Sequence, residues 1–205
     1  MRSSIVLVLL VVLAVARCQH GQRPNLRGAI DVSRVDWRER RQFDPANAQS
    51  EGVWTPGDGG LNDADRKILG SLFADADSVY ETGVGESTRI AVYTGVPRYT
   101  GVDSAVAWLN TVANGAPPHY RFYWADIGPI KGWSKPTEPR SKPKWPFAST
   151  AALMSESEAF DFYYIDGRFR VASFAASFLH AARHHKKPSE FKARALCAAS
   201  HVNSV

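Results

Sequence analysis

The chain has 205 residues, 22% of them charged and 44% hydrophobic, and a formal net charge of +5. That length holds one domain with a sizeable core, and six Trp, seven Tyr and ten Phe supply large buried surfaces, which excludes a chain disordered throughout. The positive excess is modest and spread along the sequence, so it reads as solubility rather than as a nucleic-acid footprint.

Arg2 followed by the apolar run 5–16 and then small residues predicts a secretory signal peptide over 1–18, and with it a secreted or lumenal protein. Cleavage fits after Ala16, with Ala14 and Ala16 as the small pair, or after Cys18, with Ala16 and Cys18 in those roles. The apolar run falls short of the roughly 20 residues that cross a bilayer, so no stable membrane span is expected. Cys18 and Cys197 make no disulfide framework, and neither has a partner at metal-ligand spacing. No Asn-x-Ser/Thr sequon occurs, since Asn110 precedes Thr-Val and Asn203 precedes Ser-Val.

Residues 19–60 are polar and end in the turn-rich stretch from Thr55 to Gly60, which predicts a poorly ordered linker. Leu61, Ile68, Leu69, Leu72 and Phe73 fall at helical spacing behind Asn62 or Asp63 as N-cap. A strand at 78–81 then runs into Gly83-Val84-Gly85-Glu86-Ser87-Thr88, with a helix beginning at Ile90 and Ser87 or Thr88 available to cap it. Further strands are expected at 99–102, 120–125 and 160–165, alternating with helices at 105–112, 150–154 and 170–183. Strand-then-helix units of this length imply an α/β domain over 61–183, a mainly parallel sheet covered on both faces. A basic tail, 184–205, follows.

In an open parallel sheet, ligands bind outside the carboxyl ends of the strands. Every predicted strand here ends at an acidic residue: Glu81, Asp103, Asp126 and Asp166. The plainer alternative is that such carboxylates cap the next helix or turn. Gly83 and Gly85 allow the backbone to approach a ligand at a helix N-terminus, although a dinucleotide fingerprint would place Gly where Thr88 stands.

The stretch Val79-Tyr80-Glu81-Thr82-Gly83-Val84-Gly85-Glu86-Ser87-Thr88, followed by Asp103, resembles the first motifs of class I S-adenosylmethionine-dependent methyltransferases. The resemblance covers about residues 61–183 and implies a Rossmann-like three-layer sandwich. It assigns Glu81, Gly83 and Gly85 to the methionine end of the cofactor, Asp103 to the ribose hydroxyls and Asp126 to the adenine amino group. Tyr164-Ile165-Asp166-Gly167-Arg168 matches the fourth motif, near the methyl donor, and Asp166 is the candidate general base. Residues 160–168 also look like an uncharacterised methyltransferase-like subgroup and, distantly, like Golgi enzymes that methylate plant wall glycans. The partners so implied are the small-molecule cofactor and an acceptor that is a glycan or a small hydroxyl compound.

The family's sheet has seven strands and four are predicted here, so the chain resembles a truncated member, whose exposed edge favours a non-catalytic protein that keeps the fold. Asp63-Ala64-Asp65 and Asp75-Ala76-Asp77 mimic the Asp-x-Asp of a lumenal glycosyltransferase, but both sit beside a helix rather than at a strand end. His180, His184 and His185 read as a solvated basic helix end, not a metal site. Arg168 and Arg170 suit an anionic acceptor or simply face solvent. The segment 131–146, rich in Pro and Lys and holding Trp133 and Trp145, is an acceptor-side lid or a surface loop.

Overall fold

The computed structural model describes residues 41–54, 60–184 and 195–196. The signal peptide, Cys18, Cys197, His185 and most of the tail lie outside the described residues. The first described element is a one-and-a-half-turn helix, α1 (Pro45–Ser50), started by Pro45 at its first position and by Asp44, whose carboxylate accepts the Ala46 amide at 3.0 Å. In α2 (Asp63–Ala74) the cap is Asn62, which accepts the Asp65 amide at 2.9 Å. Then come β1 (Ser78–Thr82), α3 (Glu86–Tyr93), β2 (Arg98–Asp103), α4 (Val106–Asn114) and β3 (Arg121–Trp124). A small antiparallel hairpin, β4 (Ile130–Lys131) with β5 (Lys135–Pro136), leads through a 3-10 turn to α5 (Phe147–Thr150), β6 (Phe162–Ile165) and α6 (Arg170–His184).

The main sheet has the order β3-β2-β1-β6, all parallel, and a two-residue strand β7 (Ala195–Leu196) lies beside β6. Because β1 is central, the chain winds outward through β2 and β3 and then returns to the other side of β1, which puts the switch point between β1 and β6. Side-chain alternation divides the core in two. Val79, Tyr99, Phe162 and Tyr164 face α2 and α3 with Leu69, Phe73 and Ile90. Tyr80, Val102, Tyr163 and Ile165 face α5 and α6 with Ala148, Ala152 and Ala176. Both faces of the sheet are therefore covered, which makes the three layers of a Rossmann-like α/β fold.

Residues 41–54 are not linker. Phe43, Ala48, Val53 and Trp54 are buried in the first core, and the Phe43 ring lies over Gly70, where an added Cβ would stand 2.0 Å from it. The segment reads as polar because α1, Pro-Ala-Asn-Ala-Gln-Ser, carries no large apolar side chain. His180 is likewise not solvated: it is buried, with Nδ1 2.9 Å from the Tyr163 hydroxyl and Nε2 3.0 Å from the Glu156 carbonyl. The segment 131–146 has more structure than a loop, since it contains β5 and the 3-10 turn Pro139–Lys144.

Candidate functional site

The carboxyl ends of β1, β2 and β6 converge at the switch point. Gly83 has φ +83°, and an added Cβ would come within 2.5 Å of the Gly167 amide nitrogen, so the turns after β1 and β6 touch backbone to backbone. The Asp166 amide to the Thr82 carbonyl, 2.9 Å, ties these turns further, and the Gly83 amide to the Val102 carbonyl, 2.8 Å, ties the first of them to β2. Gly85 differs: an added Cβ would meet only the Trp108 ring, at 3.7 Å. No neighbour inside the protein demands Gly85, which leaves its backbone face open for a ligand to approach.

Helix α3 begins one turn earlier than its apolar residues suggest. Ser87 and Thr88 are inside its first turn; Thr88 Oγ1 caps it by accepting the amide of the N-cap residue Gly85 at 3.0 Å, and both hydroxyls donate to the two oxygens of Glu81, with the Tyr99 hydroxyl as third donor. Glu81 is wholly buried, and its carboxylate holds the glycine loop from beneath instead of reaching out of it. Desolvation pushes its carboxyl up to about 7 against the pull of those three hydroxyls, and the nearby charge of Asp166 adds to the rise. Tyr99 reaches Glu81 because Gly101, the residue opposite Glu81 in β2, leaves space that a Cβ would take from the Tyr99 ring and Val84.

Asp103 ends β2, and its Oδ1 accepts the Ala105 amide at 2.7 Å and the Ser134 hydroxyl at 3.3 Å. Partial burial raises its pKa, offset by these bonds and by the amides of Ser104 and Val84. Trp108 donates its indole N–H to the Val84 carbonyl at 2.7 Å, so Asp103 and Trp108 hold the glycine loop from its β2 side. Asp126 stands apart, beyond the end of β3. It accepts the Gly128 amide at 2.8 Å and Lys144 Nζ at 2.5 Å, which hold its pKa below the ordinary value.

Asp166 follows β6 at the crevice. Arg170 Nη2 lies 2.6 Å from its Oδ1, yet the guanidinium directs its N–H groups at the carbonyls of Asp166 and Gly167, at 3.2 and 3.3 Å. Asp166 Oδ1 is thus buried with the Arg170 guanidinium as its ion-pair partner. Desolvation lifts the carboxyl to about 6 and the Arg170 charge restrains it. On the opposite rim, the buried ion pair of Arg66 with Glu86 joins α2 to the glycine loop, and the Arg66 guanidinium sits 5.0 Å over the Trp54 ring. Glu86 Oε2 has no partner there.

The structure thus brings Gly83, Gly85, Asp103 and Asp166 to one crevice, turns the Glu81 carboxylate inward, and leaves Asp126 in an ion pair at the edge. Ser87, Thr88 and Tyr99 were missed as site-building residues, although two hydroxyls beside a glycine loop were signal enough. Asp63 and Asp65 do not form a metal pair with a strand end, since Asp63 bonds Arg66 at 2.8 Å. Among the described residues no group of three His, Cys, Asp or Glu is placed to hold a metal ion, and no helix is long and apolar enough to cross a membrane.

Parallel strands wound from a central β1, with a glycine loop after it and an acid after β2, define a Rossmann-like methyltransferase fold. Among solved structures, the chain is similar to a methyltransferase-like protein from Silicibacter pomeroyi, at 27% identity and a TM-score of 0.52. The likeness covers 57% of this chain and 64% of that one, so the chain spans less than two thirds of that protein's length. No family model matches the chain, and no curated protein does.

Proposed function

We propose that this protein binds S-adenosylmethionine in the crevice between β1 and β6 and transfers its methyl group to a hydroxyl of a glycan or small molecule. The observation that carries the reading is the joint presence, at one switch point, of an open glycine-loop backbone and the acids that end β2 and follow β6, Asp103 and Asp166, the latter ion-paired to Arg170 at 2.6 Å. Gly85 offers backbone to the methionine end and Asp103 a carboxylate to the ribose hydroxyls. Glu81 acts beneath them by fixing the loop. Asp126 serves an adenine amino group only if Lys144 gives way.

When bound, S-adenosylmethionine supplies a methyl group on a sulfonium, ready for in-line displacement. The chain's own part is positioning and proton removal. Asp166, with its carboxyl near 6, is mostly ionised at neutral pH and still basic enough to take the acceptor's hydroxyl proton. Arg170 keeps it charged. The signal-peptide pattern of residues 1–18 supports action in the secretory pathway, where hydroxyl-rich glycans are present.

A second reading, a methyltransferase-fold protein that binds without turnover, draws on the Arg170 guanidinium 2.6 Å from Asp166 Oδ1, which occupies the oxygen a general base would use. Calorimetric titration of S-adenosylmethionine, with Asp103→Ala as control, tests both. Saturable binding lost in the variant supports the cofactor site. Absence of binding by the folded wild type removes it, and binding without methyl transfer to any hydroxyl acceptor favours the second reading.

A further inference from the structure

The hairpin formed by β4 and β5 is fastened unusually for an exposed element. Its base is firm: the Thr137 amide and hydroxyl both donate to the Pro129 carbonyl, at 2.9 and 3.0 Å, and Asp126 binds Gly128 and Lys144 just before it. Its tip, Gly132-Trp133-Ser134, has almost no packing. An added Cβ on Gly132 would meet nothing within 4 Å, and Trp133 is 83% exposed.

Two polar contacts hold the tip. Ser134 donates to Asp103 at 3.3 Å, and Arg168 Nε donates to the Trp133 carbonyl at 2.6 Å. Asp103 ends β2 and Arg168 follows β6, the two neighbours of β1. A tip bonded to both bridges the carboxyl ends of the two strands that flank β1. The backbone supports the same view, because Trp133 and Ser134 take φ +62° and +53°, left-handed values that non-glycine residues rarely adopt in succession. A conformation this uncommon, kept on two hydrogen bonds, is one that release relaxes.

We propose that the hairpin is a strap across the ligand crevice, its Ser134 hydroxyl occupying Asp103 in place of a ligand hydroxyl, so that ligand entry and release of the strap are one event. The inference rests on the cofactor reading above for the identity of the ligand. Asp126 then has a role in this chain that needs no adenine: with Lys144 it anchors the hinge.

The test uses the full chain, its Ser134→Ala and Arg168→Ala variants, and S-adenosylhomocysteine as a ligand that cannot react. Amide hydrogen exchange at residues 131–135 is read first, without ligand. Each variant is expected to exchange there about fivefold faster, the factor that loss of one ordinary hydrogen bond carries. Rapid-mixing tryptophan fluorescence then follows ligand association, which is expected to rise by about the same factor in both variants. Trp133→Phe should reduce the amplitude. Unchanged exchange in both variants overturns the strap whatever the ligand. Faster exchange with association rates equal to wild type overturns its role as a gate and leaves the cofactor site standing. Failure of the wild type to bind overturns the cofactor reading, and the gate for that ligand with it.

Discussion

Replacing Glu81 by glutamine removes a titrating group from the centre of the protein while keeping its shape. The folded carboxyl loses its proton at about 7, against an ordinary value of 4.5. Between those pH values the native state binds the proton that the unfolded chain has released, so stability is complete below about 4.5 and is lost as pH rises to about 7. At roughly 1.4 kcal/mol per pH unit, the loss is on the order of 3 kcal/mol. The glutamine side chain has no proton to lose, and its amide can donate to the Thr88 and Tyr99 oxygens once those hydroxyls turn from donor to acceptor, while its carbonyl accepts from Ser87. The assay is urea unfolding of wild type and Glu81→Gln at pH 5 and pH 8. Asp166, also raised, adds slope of the same sign to both proteins, so the quantity to read is the difference between them. The variant should gain on the wild type by about 2–3 kcal/mol from pH 5 to pH 8. A difference that stays constant across that range would refute the claim that Glu81 is held protonated by burial.

Gly83→Ala should lower stability by 3 kcal/mol or more, ~3 being typical where a Cβ meets backbone at positive φ, whereas Gly85→Ala should stay within about 1 kcal/mol and instead weaken S-adenosylmethionine binding; thermal melts and calorimetry of both separate the two roles. Methyl transfer should rise with pH through about 6 as Asp166 ionises, and Asp166→Asn should flatten that profile and slow the reaction by about 10²-fold or more, measured as pH–rate curves. Phe43→Ala should cost about 3–5 kcal/mol in urea unfolding, a core penalty from a residue in a polar stretch.

The strands were legible because each carries aromatic or β-branched residues and is bounded by turn residues, β6 as the apolar run Phe-Tyr-Tyr-Ile and β1 as Val-Tyr between polar residues, buried at all five positions. Their acidic ends were legible for the same reason, since a strand's end fixes where the next residue sits. Side-chain direction was harder. Glu81 lies on the same face as Val79, toward the core, and only the space above Gly101 shows that Tyr99 meets it there. Asp126 finds Lys144, eighteen residues on, through a 3-10 turn that no periodicity announces. The hairpin escaped because its turn uses Trp133 and Ser134 at positive φ, where a sequence reader looks for Gly or Asn. Helix α1 did carry a signal, Asp44 followed by Pro45, but no apolar stripe to confirm it.

The path from Trp54 through Arg66 to Glu86 bears on how the domain is handled at the bench. A fragment cut at Leu61, where helical spacing begins, discards the ring beneath Arg66 and the Phe43 ring that covers Gly70. The Arg66 and Glu86 charges would then be left paired but newly wetted, beside the loop expected to receive the ligand. Such a fragment is suited to measuring how much of the crevice's order is imported from sequence that precedes the first strand, and a fragment starting ahead of Arg41 is the one to use for everything else.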